Sequence, residues 1–519
     1  MNRRPESLLE PLGPERRVFL RDESRFEGRA DFFAAPSDLD ELVAAVQACL
    51  KRGLPLTPQG ARTGLCGAGV PQGGCLLSLA ALNRPWALSE GPDGSLELEV
   101  QPGLSLDDLN RDLLRRKLDL AGPPPRPDAA EAFRRGSYFW PPDPGEGAAA
   151  LGGLFAVNAR GPAALRHGST AAHVRGVKLI TADGQLRELR RGRRVFQGAR
   201  LELPAGGFLE LSPRSLGLEP QADLLDALAG GQGMHGVIAS LTLALTPRPA
   251  AVWALAFFFE REAAAAEFIE AVLAEPPEPL ASLDFLDEVS LAQALELKKT
   301  ASKLRDTPDP PSGSQAAAFV ELQADGQEQA EEAAAELMAR VEAVGGDPDR
   351  SWALTDDETG KMKMFRHAVP EALGCRLDRL KAAGRPGVKL AFDAQAPGRP
   401  FGATLAELRA ELADSRLTAA VFGHAAGNHL HVNILADDPD QRRRGLELAA
   451  VRLERAKASG GELFLEHGVG KIKRELFLAC ERPERVEALK AFKRAFDPQG
   501  WLNPGNVFPD GPLGEEDGS

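Results

Sequence analysis

Four of the chain's eight histidines fall within 44 consecutive positions near the C-terminus. In the segment VFGHAAGNHLHVNIL, His429 and His431 alternate with apolar residues, so a β-strand would place both imidazoles on one face. His424 precedes a tight Ala-Ala-Gly-Asn turn that can bring it close to His431. The segment FLEHGVGK follows and adds Glu466 and His467. These spacings predict one cluster of ionisable side chains.

Two imidazoles and one carboxylate, with a coordination position left open, form the ligand set of many catalytic divalent metals. His424, His431 and Glu466 therefore predict a metal site, with zinc or manganese as the best-matched ion, and His467 remains as a base. The alternative is a set of surface or hydrogen-bonded histidines. Clustering in a chain so poor in histidine favours the site.

Two glycine-rich segments could bind a large ligand through the backbone. The loop from Gly60 to Gly69 can turn its N–H groups toward a phosphate because glycines place no Cβ in the way, and Arg62 would add a permanent charge. Residues 141–184 combine several glycines with few large side chains. The alternatives are a plain tight turn for the first segment and a loop-rich sheet edge for the second.

A third glycine-rich segment, GGQGMHGVIASLTLAL, has the glycine spacing of a dinucleotide-binding fingerprint at Gly231, Gly233 and Gly236. That fingerprint requires a helix after the glycines. The residues that follow alternate with a period of two, which is typical of a strand. The sequence therefore excludes a Rossmann fingerprint here.

Hydrophobic periodicity divides the first 248 residues into short elements. Residues 38–52 repeat apolar side chains at helical spacing, with Ser37 or Asp38 as the cap and Gly53 after the end. We further predict strands at 54–58, 75–79, 96–101, 174–181 and 237–245, a helix holding Leu106, Leu109 and Leu113, and a long functional loop at 122–147. This alternation indicates an α+β or α/β fold.

The Pro-rich segment TPRPA at 246–250 predicts a domain boundary. Beyond it, a strand and a helix occur twice in succession, which predicts a second sheet with helices on one face. The predicted elements are a strand at 252–259 with an alanine-rich helix, a strand at 317–323 with a helix at 327–344, a mobile loop at 300–315, and a disordered acidic tail from Asp510.

Composition limits the partners and the compartment. The 519 residues carry a net charge of −13, which argues against nucleic acid or an anionic membrane surface as the main partner but is compatible with a small anionic substrate. Five scattered cysteines without a CxxC pair predict a reducing compartment and no iron–sulfur cluster. We find neither a signal peptide nor a transmembrane segment, so we expect a cytoplasmic protein, with peripheral association at the inner face of the membrane as the alternative.

Eight segments, taken in order, resemble the FAD-linked D-2-hydroxy acid dehydrogenase family of the vanillyl-alcohol-oxidase-type flavoproteins. They are PQGARTGLCGAGVP, PPDP, LGGLFAVNARGP, RHGSTAAHVRGVKLITADG, GGQGMHGVIA, FGHAAGNHLHVNI, EHGVGK and FDPQGWLNPGNVF. The match runs from about Phe26 to Phe508. Eight blocks in register are far more specific than any single motif.

The resemblance implies an α+β fold: a two-subdomain PCMH-type FAD-binding domain over 1–248, a ferredoxin-like α+β cap domain over about 249–480, and a segment at 481–509 that returns to the FAD domain before the tail at 510–519. FAD would be noncovalent, because the loop has no histidine where covalently flavinylated relatives carry theirs. The implied FAD-contacting residues are Gln59, Gly60, Ala61, Arg62, Thr63, Gly64, Gly67, Pro142, Asp143, Gly152, Gly153, Asn158, Ala159, Gly161, Thr170, Val174, Gly236, Val237, Ile238 and Asn503.

The resemblance also implies the reaction. The three predicted metal ligands match those of the family, His467 matches its catalytic base, and Arg366 and Lys389 lie in the segments that supply a substrate-binding arginine and lysine. A D-2-hydroxy acid of the lactate, glycolate or 2-hydroxyglutarate type would be oxidised to the 2-oxo acid by hydride transfer to flavin N5. Electrons would pass to an external acceptor, which would be a quinone, a cytochrome or an electron-transfer flavoprotein. The alternatives are another FAD-linked oxidoreductase of the superfamily and a non-catalytic flavin-binding subunit of a larger complex.

Three departures from the family pattern bear mainly on the substrate. The segment GHAAGNHLH keeps both outer histidines at their spacing but loses the family's aspartate and adds His429. GARTG replaces the GGGT core of the first loop, and the stretch from Pro125 to Tyr138 resembles an insertion.

Overall fold

The computed structural model describes residues 8–355, 358–385, 389–463 and 466–509. It divides the chain into two compact units. The first comprises residues 1–160, 169–248 and 466–519, and the second comprises 161–168 and 249–465. The division at Arg248 and Pro249 falls inside the TPRPA segment. The predicted disordered tail from Asp510 lies outside the described residues.

Short strands and helices make up residues 8–248. The strands are β1 (Glu10–Pro11), β2 (Phe32–Ala34), β3 (Leu56–Gln59), β4 (Cys75–Ser78), β5 (Pro85–Glu90), β6 (Leu96–Val100), β7 (Tyr138–Phe139), β8 (Val174–Ile180), β9 (Leu186–Arg190), β10 (Arg200–Glu202), β11 (Phe208–Glu210), β12 (Val237–Ala244) and β13 (Thr246–Pro247). The α-helices are α1 (Leu39–Lys51), α2 (Leu106–Leu114), α3 (Pro127–Arg135), α4 (Leu151–Val157), α5 (Ala164–His167) and α6 (Leu224–Leu228).

The first unit contains two main sheets. One has the order β1-β2-β4-β3, in which β4 runs parallel to both β2 and β3. The other is a five-stranded antiparallel sheet with the order β5-β6-β12-β8-β9. Each sheet packs against its own helices in a separate apolar core, one around α1 and one around α2, α3 and α4. These two cores correspond to the two expected α+β subdomains.

The sequence explains α1 residue by residue. The carboxylate of Asp38 accepts a hydrogen bond from the N–H of Glu41 at 2.8 Å, which caps the helix, and Gly53 follows the end with a φ of 63°. Leu42 and Val46 are fully buried against the first sheet. Burying each such side chain contributes about 1.5–3 kcal/mol. The predicted helix is confirmed.

The predicted loop at 122–147 is wrong because the stretch contains a helix with apolar anchors, whereas the mobility of the predicted loop at 300–315 stays a prediction. The 122–147 stretch forms α3 and β7: Pro127 lies in the first turn of α3, and Ala129 and Phe133, four residues apart, are buried in the core. The 300–315 stretch contains a 3₁₀ helix at Ser302–Leu304, and Leu304 is fully buried. The flanking Pro, Ser and charged residues conceal these anchors in the sequence.

The second unit is built on a seven-stranded antiparallel sheet with the order β17-β14-β16-β15-β19-β20-β18. The strands are β14 (Ala251–Phe259), β15 (Leu280–Asp287), β16 (Ala316–Ala324), β17 (Ser351–Thr355), β18 (Leu390–Gln395), β19 (Ala419–His424) and β20 (His429–Ile434). Its helices are α7 (Glu262–Ala274), α8 (Glu288–Lys298), α9 (Gln327–Ala343), α10 (Thr359–Ala382), α11 (Phe401–Asp414) and α12 (Pro439–Ala458).

Helices cover both faces of this sheet, so the prediction of helices on one face is wrong. On one face, Phe319 of β16 packs against Phe365 of α10, with ring centroids 6.2 Å apart. On the other face, Phe257 of β14 packs against Phe268 of α7 at 5.1 Å. The reason is visible in β14, AVWALAFFF, which has apolar side chains at every position and buries both faces.

The C-terminal helices α13 (Arg474–Cys480) and α14 (Pro483–Phe496) belong to the first unit. The chain therefore returns to that unit at residue 466, earlier than the predicted boundary at 480. The contacts of the turn at 467–471 with the glycine loop, described below, account for the difference. In the part of the chain that the structure describes, every helix is too short or too polar to cross a bilayer.

His235 lies in the core of the first unit, two residues before the start of β12. Its ring packs edge-on against Phe492 and Phe496 of α14, with centroids 4.7 and 5.6 Å away. Neither ring nitrogen has a hydrogen-bond partner. Burial lowers the pKa of His235 from its ordinary 6.5 to about 3, and the nearby charge of Lys493 acts in the same direction.

This buried imidazole predicts an acid-dependent loss of stability. In the unfolded chain His235 binds a proton below pH 6.5, whereas the folded chain excludes that proton until the pH approaches about 3. The free energy of unfolding therefore falls by about 1.4 kcal/mol for each pH unit below 6.5. Between pH 7.5 and pH 5, we expect the thermal unfolding midpoint of His235→Leu to fall less than that of the unmodified chain. Equal falls in the two proteins would contradict the prediction.

Candidate active site

The predicted histidine strand is β20, which pairs with β19 in an antiparallel hairpin. His424 ends β19 and lies opposite His429, and the 3₁₀ turn Ala425–Gly427 connects the two strands. Asn428 follows this turn with a φ of 48°, and its side-chain N–H₂ group donates to the carbonyls of Ala396 and Arg399. These bonds hold the turn against the rest of the second unit.

The hairpin brings three imidazoles together. The ring centroids of His424 and His431 lie 5.8 Å apart, and His429 lies 4.9 Å from His431 and 5.9 Å from His424. His429 and His431 are both buried. Gly423 has a φ of 144°, and a Cβ there would lie 2.6 Å from the carbonyl oxygen of His429. The close approach of the two strands therefore requires glycine immediately before His424.

Glu466 is the third predicted ligand. One ligand atom from each of His424, His431 and Glu466 lies within 4.8 Å of the other two. His429 does not belong to this set of three; its Nε2 lies 3.7 Å from a carboxylate oxygen of Asp393 on β18.

Sequence reasoning did not find Asp284, which contacts two of the predicted site residues. Nδ1 of His424 donates to one carboxylate oxygen of Asp284 at 2.7 Å, and Nε of Arg366 lies 2.9 Å from the other. Asp284 is 2% exposed, and its position on β15 lies directly opposite His424 on β19. Because this contact joins positions 140 residues apart, only the register of the two strands could have indicated it.

The two predicted substrate-binding cations lie in different places. Arg366 is on α10 and reaches Asp284 beside His424. Lys389 immediately precedes β18 and is half-buried. Asp393 of β18 lies opposite His431, so Lys389 is four residues, roughly 13 Å, farther along the same strand. The structure therefore links Arg366 to His424 through Asp284, and a role for Lys389 at the site stays a prediction.

His467 lies in a turn that is fixed within the first unit. Its carbonyl oxygen accepts a hydrogen bond from Sγ of Cys66 at 3.0 Å. The N–H of Gly470 donates to the side chain of Gln232 at 2.8 Å. A Cβ at Gly470 would lie only 2.0 Å from the carbonyl oxygen of Cys66, so the turn has no room for a side chain there. The glycine loop and the His467 turn are thus packed together.

The first glycine loop follows β3 and is closed by the residues around it. The buried side chain of Gln59 donates to the carbonyls of Phe19 and Gly69 at 2.9 and 2.8 Å. The carbonyls of Arg62 and Gly64 accept hydrogen bonds from N–H groups at the N-terminal side, in Glu23 and Ser24. These bonds fix the loop's backbone, and glycine-rich loops of this kind can present their N–H groups to a phosphate.

The chain matches two family models. Residues 248–507, half of the chain, match the model described as FAD linked oxidases, C-terminal domain. Residues 30–125 and 124–190 match the model described as FAD binding domain. The chain belongs to the FAD-linked oxidase family.

Relatives of this FAD-linked oxidase match it over nearly its whole length. It is 25% identical to the glycolate oxidase subunit GlcD of Bacillus subtilis, with 97% of this chain and 96% of the relative covered. It is 26% identical to a D-lactate dehydrogenase of Anaerostipes hadrus (94% and 92% covered) and 25% identical to a D-2-hydroxyglutarate dehydrogenase of Xanthomonas citri (92% and 88% covered). Among solved structures, an alkyldihydroxyacetonephosphate synthase shares the fold, with a TM-score of 0.61 at 13% identity over 96% of this chain and 82% of that one.

Several residues of this FAD-linked oxidase fit a bound FAD. Gly67 has a φ of 71°, and a Cβ at Gly60 would lie 3.0 Å from the Cβ of Ala150. A Cβ at Gly153, in α4, would meet no atom within 4 Å, so the backbone there borders open space. The buried Thr170 donates its hydroxyl to the carbonyl of Ala159 and holds the second glycine-rich segment in place.

Two residues of the oxidase that are predicted to contact FAD also bind other parts of the protein through their side chains. The guanidinium of Arg62 donates to the carbonyl of Val18 and lies 4.8 Å over the ring of Phe19. The side-chain amide of Asn503 donates to the carbonyls of Ala68 and Gln232 and accepts from Nζ of Lys471 at 2.7 Å. Both side chains therefore help to hold the loops in place.

The remaining predicted FAD contacts lie at the ends of elements or in turns. Asn158 ends α4 with a φ of 49° and accepts from the N–H of Ala171. Asp143 accepts from the N–H of Gly145. Gly161 belongs to the short segment grouped with the second unit. The other predicted contacts have these positions: Ala61, Thr63 and Gly64 lie in the first loop, Pro142 follows β7, Gly152 is in α4, Val174 begins β8, Gly236 precedes β12, and Val237 and Ile238 begin β12. Because β12 is a strand, the exclusion of a Rossmann fingerprint is confirmed.

Proposed function

We propose that this FAD-linked oxidoreductase oxidises a small D-2-hydroxy acid, of the lactate, glycolate or 2-hydroxyglutarate type, to the 2-oxo acid. The observation that carries the proposal is the grouping of His424, His431 and Glu466, with Arg366 linked to the same group through Asp284. Three ligand-type atoms and one guanidinium match a substrate that has a hydroxyl and a carboxylate on neighbouring carbons. The relatives named for glycolate, lactate and 2-hydroxyglutarate support the same class.

The donor set fits a divalent metal. Two imidazoles and a carboxylate are ligands of zinc and manganese, and a carboxylate behind a ligating histidine is a common supporting contact. Because Asp284 engages Nδ1 of His424, Nε2 is the nitrogen that would bind the ion. His424, His431 and Glu466 would hold it.

The reaction must remove a hydroxyl proton and a hydride, and such a hydroxyl does not ionise by itself at neutral pH. When bound, FAD accepts the hydride and the divalent ion makes the hydroxyl more acidic. We assign His467 as the base that takes the proton on a ring nitrogen. Arg366 would pair with the substrate carboxylate and orient the C–H bond, and Lys389 is proposed as a second, more distant cation. An external quinone, cytochrome or electron-transfer flavoprotein would reoxidise the protein.

Anaerobic bleaching of the flavin by a panel of acids tests this function. The panel contains the D and L forms of lactate and 2-hydroxyglutarate, together with glycolate, a sugar lactone and an alkyl-glycerone phosphate. We expect rapid loss of the oxidised flavin absorbance with at least one D-2-hydroxy acid and none with its L form. Bleaching by only the lactone or the glycerone phosphate would assign the protein to another branch of the superfamily.

A non-catalytic flavin-binding subunit is the second alternative, and the same experiment separates it. Such a subunit would hold FAD and stay yellow with every acid in the panel. Reduction by dithionite is the control, because it shows that the bound flavin can be reduced. No bleaching by any acid together with full dithionite reduction would overturn the proposed function.

A further inference from the structure

We propose that Asp284 is a positioning residue that couples the metal ligand His424 to the substrate-binding Arg366. The inference rests on the proposed function and assigns a role to a residue that touches neither the substrate nor the ion. One carboxylate oxygen of Asp284 accepts from Nδ1 of His424 at 2.7 Å, and the other lies 2.9 Å from Nε of Arg366. The two residues thus share one anion.

The backbone fixes the position of this carboxylate. Asp284 lies on β15, which is paired on one side with β16 and on the other with β19. In this register Asp284 is directly opposite Phe319 on one neighbour and His424 on the other. Side chains directly opposite each other point to the same face of the sheet. Strand pairing on both sides therefore fixes the backbone of Asp284 and places its side chain on the same face of the sheet as His424.

The charge of the buried Asp284 carboxylate explains why it needs both Arg366 and His424 as partners. A carboxylate that is 2% exposed is costly unless it is paired and hydrogen-bonded, and Arg366 supplies the positive charge. With Nδ1 of His424 hydrogen-bonded to this carboxylate, Nε2 is the ring nitrogen that remains for the ion. Removing Asp284 would release the ring orientation of His424 and leave Arg366 free to take other rotamers.

The same contact determines how Arg366 can bind a carboxylate. Its Nε faces Asp284, so the two terminal Nη groups are the donors that can form a paired, end-on interaction with a substrate. A lysine at this position has a single nitrogen and could not bind both anions with this geometry. Metal affinity and substrate affinity are therefore expected to depend on one side chain.

The test compares Asp284→Asn and Asp284→Ala with Glu321→Gln in the full-length FAD-loaded protein. Glu321 is a buried carboxylate on the neighbouring strand β16, paired with Lys363 at 3.6 Å, and is therefore a matched control. Mn²⁺ affinity is measured by titration calorimetry, and kcat and KM are measured with the acid that bleaches the flavin best. We expect both Asp284 variants to bind Mn²⁺ about 10- to 100-fold more weakly and to show a raised KM, because outer-shell partners carry effects of that size. Glu321→Gln should keep the unmodified Mn²⁺ affinity.

The Asn variant keeps the shape of the side chain, so it tests the role even if the Ala variant is unstable. Unchanged Mn²⁺ affinity and KM in Asp284→Asn would overturn the inference and leave the proposed function intact. An equal loss in Glu321→Gln would also overturn it, because any buried carboxylate of the sheet would then have the same effect. If the unmodified protein binds no Mn²⁺ or Zn²⁺ and no acid bleaches its flavin, the proposed function itself fails, and that measurement uses no variant.

Discussion

Replacing His467 with alanine is expected to lower turnover by about two to four orders of magnitude while FAD remains bound, because general-base catalysis contributes a factor of that size. The variant removes the imidazole that would accept the substrate proton. It keeps the backbone carbonyl that accepts the hydrogen bond from Cys66. The turn also keeps the bond between Gly470 and Gln232. The loss should therefore come from the chemistry and not from the fold.

The measurement is the anaerobic half-reaction, in which the rate of flavin bleaching is followed at saturating substrate. The absorbance spectrum and FAD content of His467→Ala serve as the folding control. Added imidazole provides a second control, because a small base that enters the site should restore part of the rate. A variant that loses FAD together with its activity, or one that bleaches as fast as the unmodified protein, would contradict the role of His467 as the base.

The sequence predicts best those parts of the fold that local interactions determine. Helix α1 follows from its apolar period, the Asp38 cap and Gly53, all of which lie within sixteen consecutive residues. The strand after Gly231, Gly233 and Gly236 follows from its period of two. Both are local patterns, so no tertiary information is needed to find them.

The predictions fail where contacts between residues far apart in the sequence determine the structure. The α3 helix was missed because proline and glycine dominate its surroundings, although Ala129 and Phe133 anchor it in the core. The carboxylate of Asp284 could not be recognised because the segment LASLDFLD resembles any half-polar strand, and its partner His424 lies on a strand 140 residues later. A local sequence pattern does not predict the order of the seven strands in the sheet. That order determines which polar residues are in contact.

The candidate site shows the same division. The residue types in GHAAGNHLH and EHGVGK sufficed to predict that His424, His431 and Glu466 form a group of possible metal ligands, because few residue types bind metals. Asn503 shows what the sequence leaves open: its motif predicts an FAD contact, and its side-chain amide also binds Ala68, Gln232 and Lys471. A sequence motif indicates that a residue is important. It does not show whether the residue contacts the ligand or holds in place the loop that contacts it.

Replacing His424 with alanine is expected to remove the bound divalent ion and the activity together. The substitution deletes one of the three grouped ligand atoms and leaves the carboxylate of Asp284 without its histidine partner. Substituting a residue that only hydrogen-bonds to a metal ligand weakens metal binding about 10- to 100-fold. Removing the ligand itself should weaken it more. Metal content per FAD, measured by mass spectrometry of the purified protein, provides the readout, and chelators should inactivate the unmodified protein reversibly.

The neighbouring His429 is the matched control for that experiment. Its ring lies 4.9 Å from His431 and 5.9 Å from His424, so it shares the burial and the surroundings of the two ligands without belonging to the set of three. His429→Asn should therefore keep its metal content while His424→Ala loses it. Equal loss in both variants would mean that the hairpin holds the ion through all three rings. Full metal content in His424→Ala, or activity that survives chelators, would remove the metal from the proposed reaction.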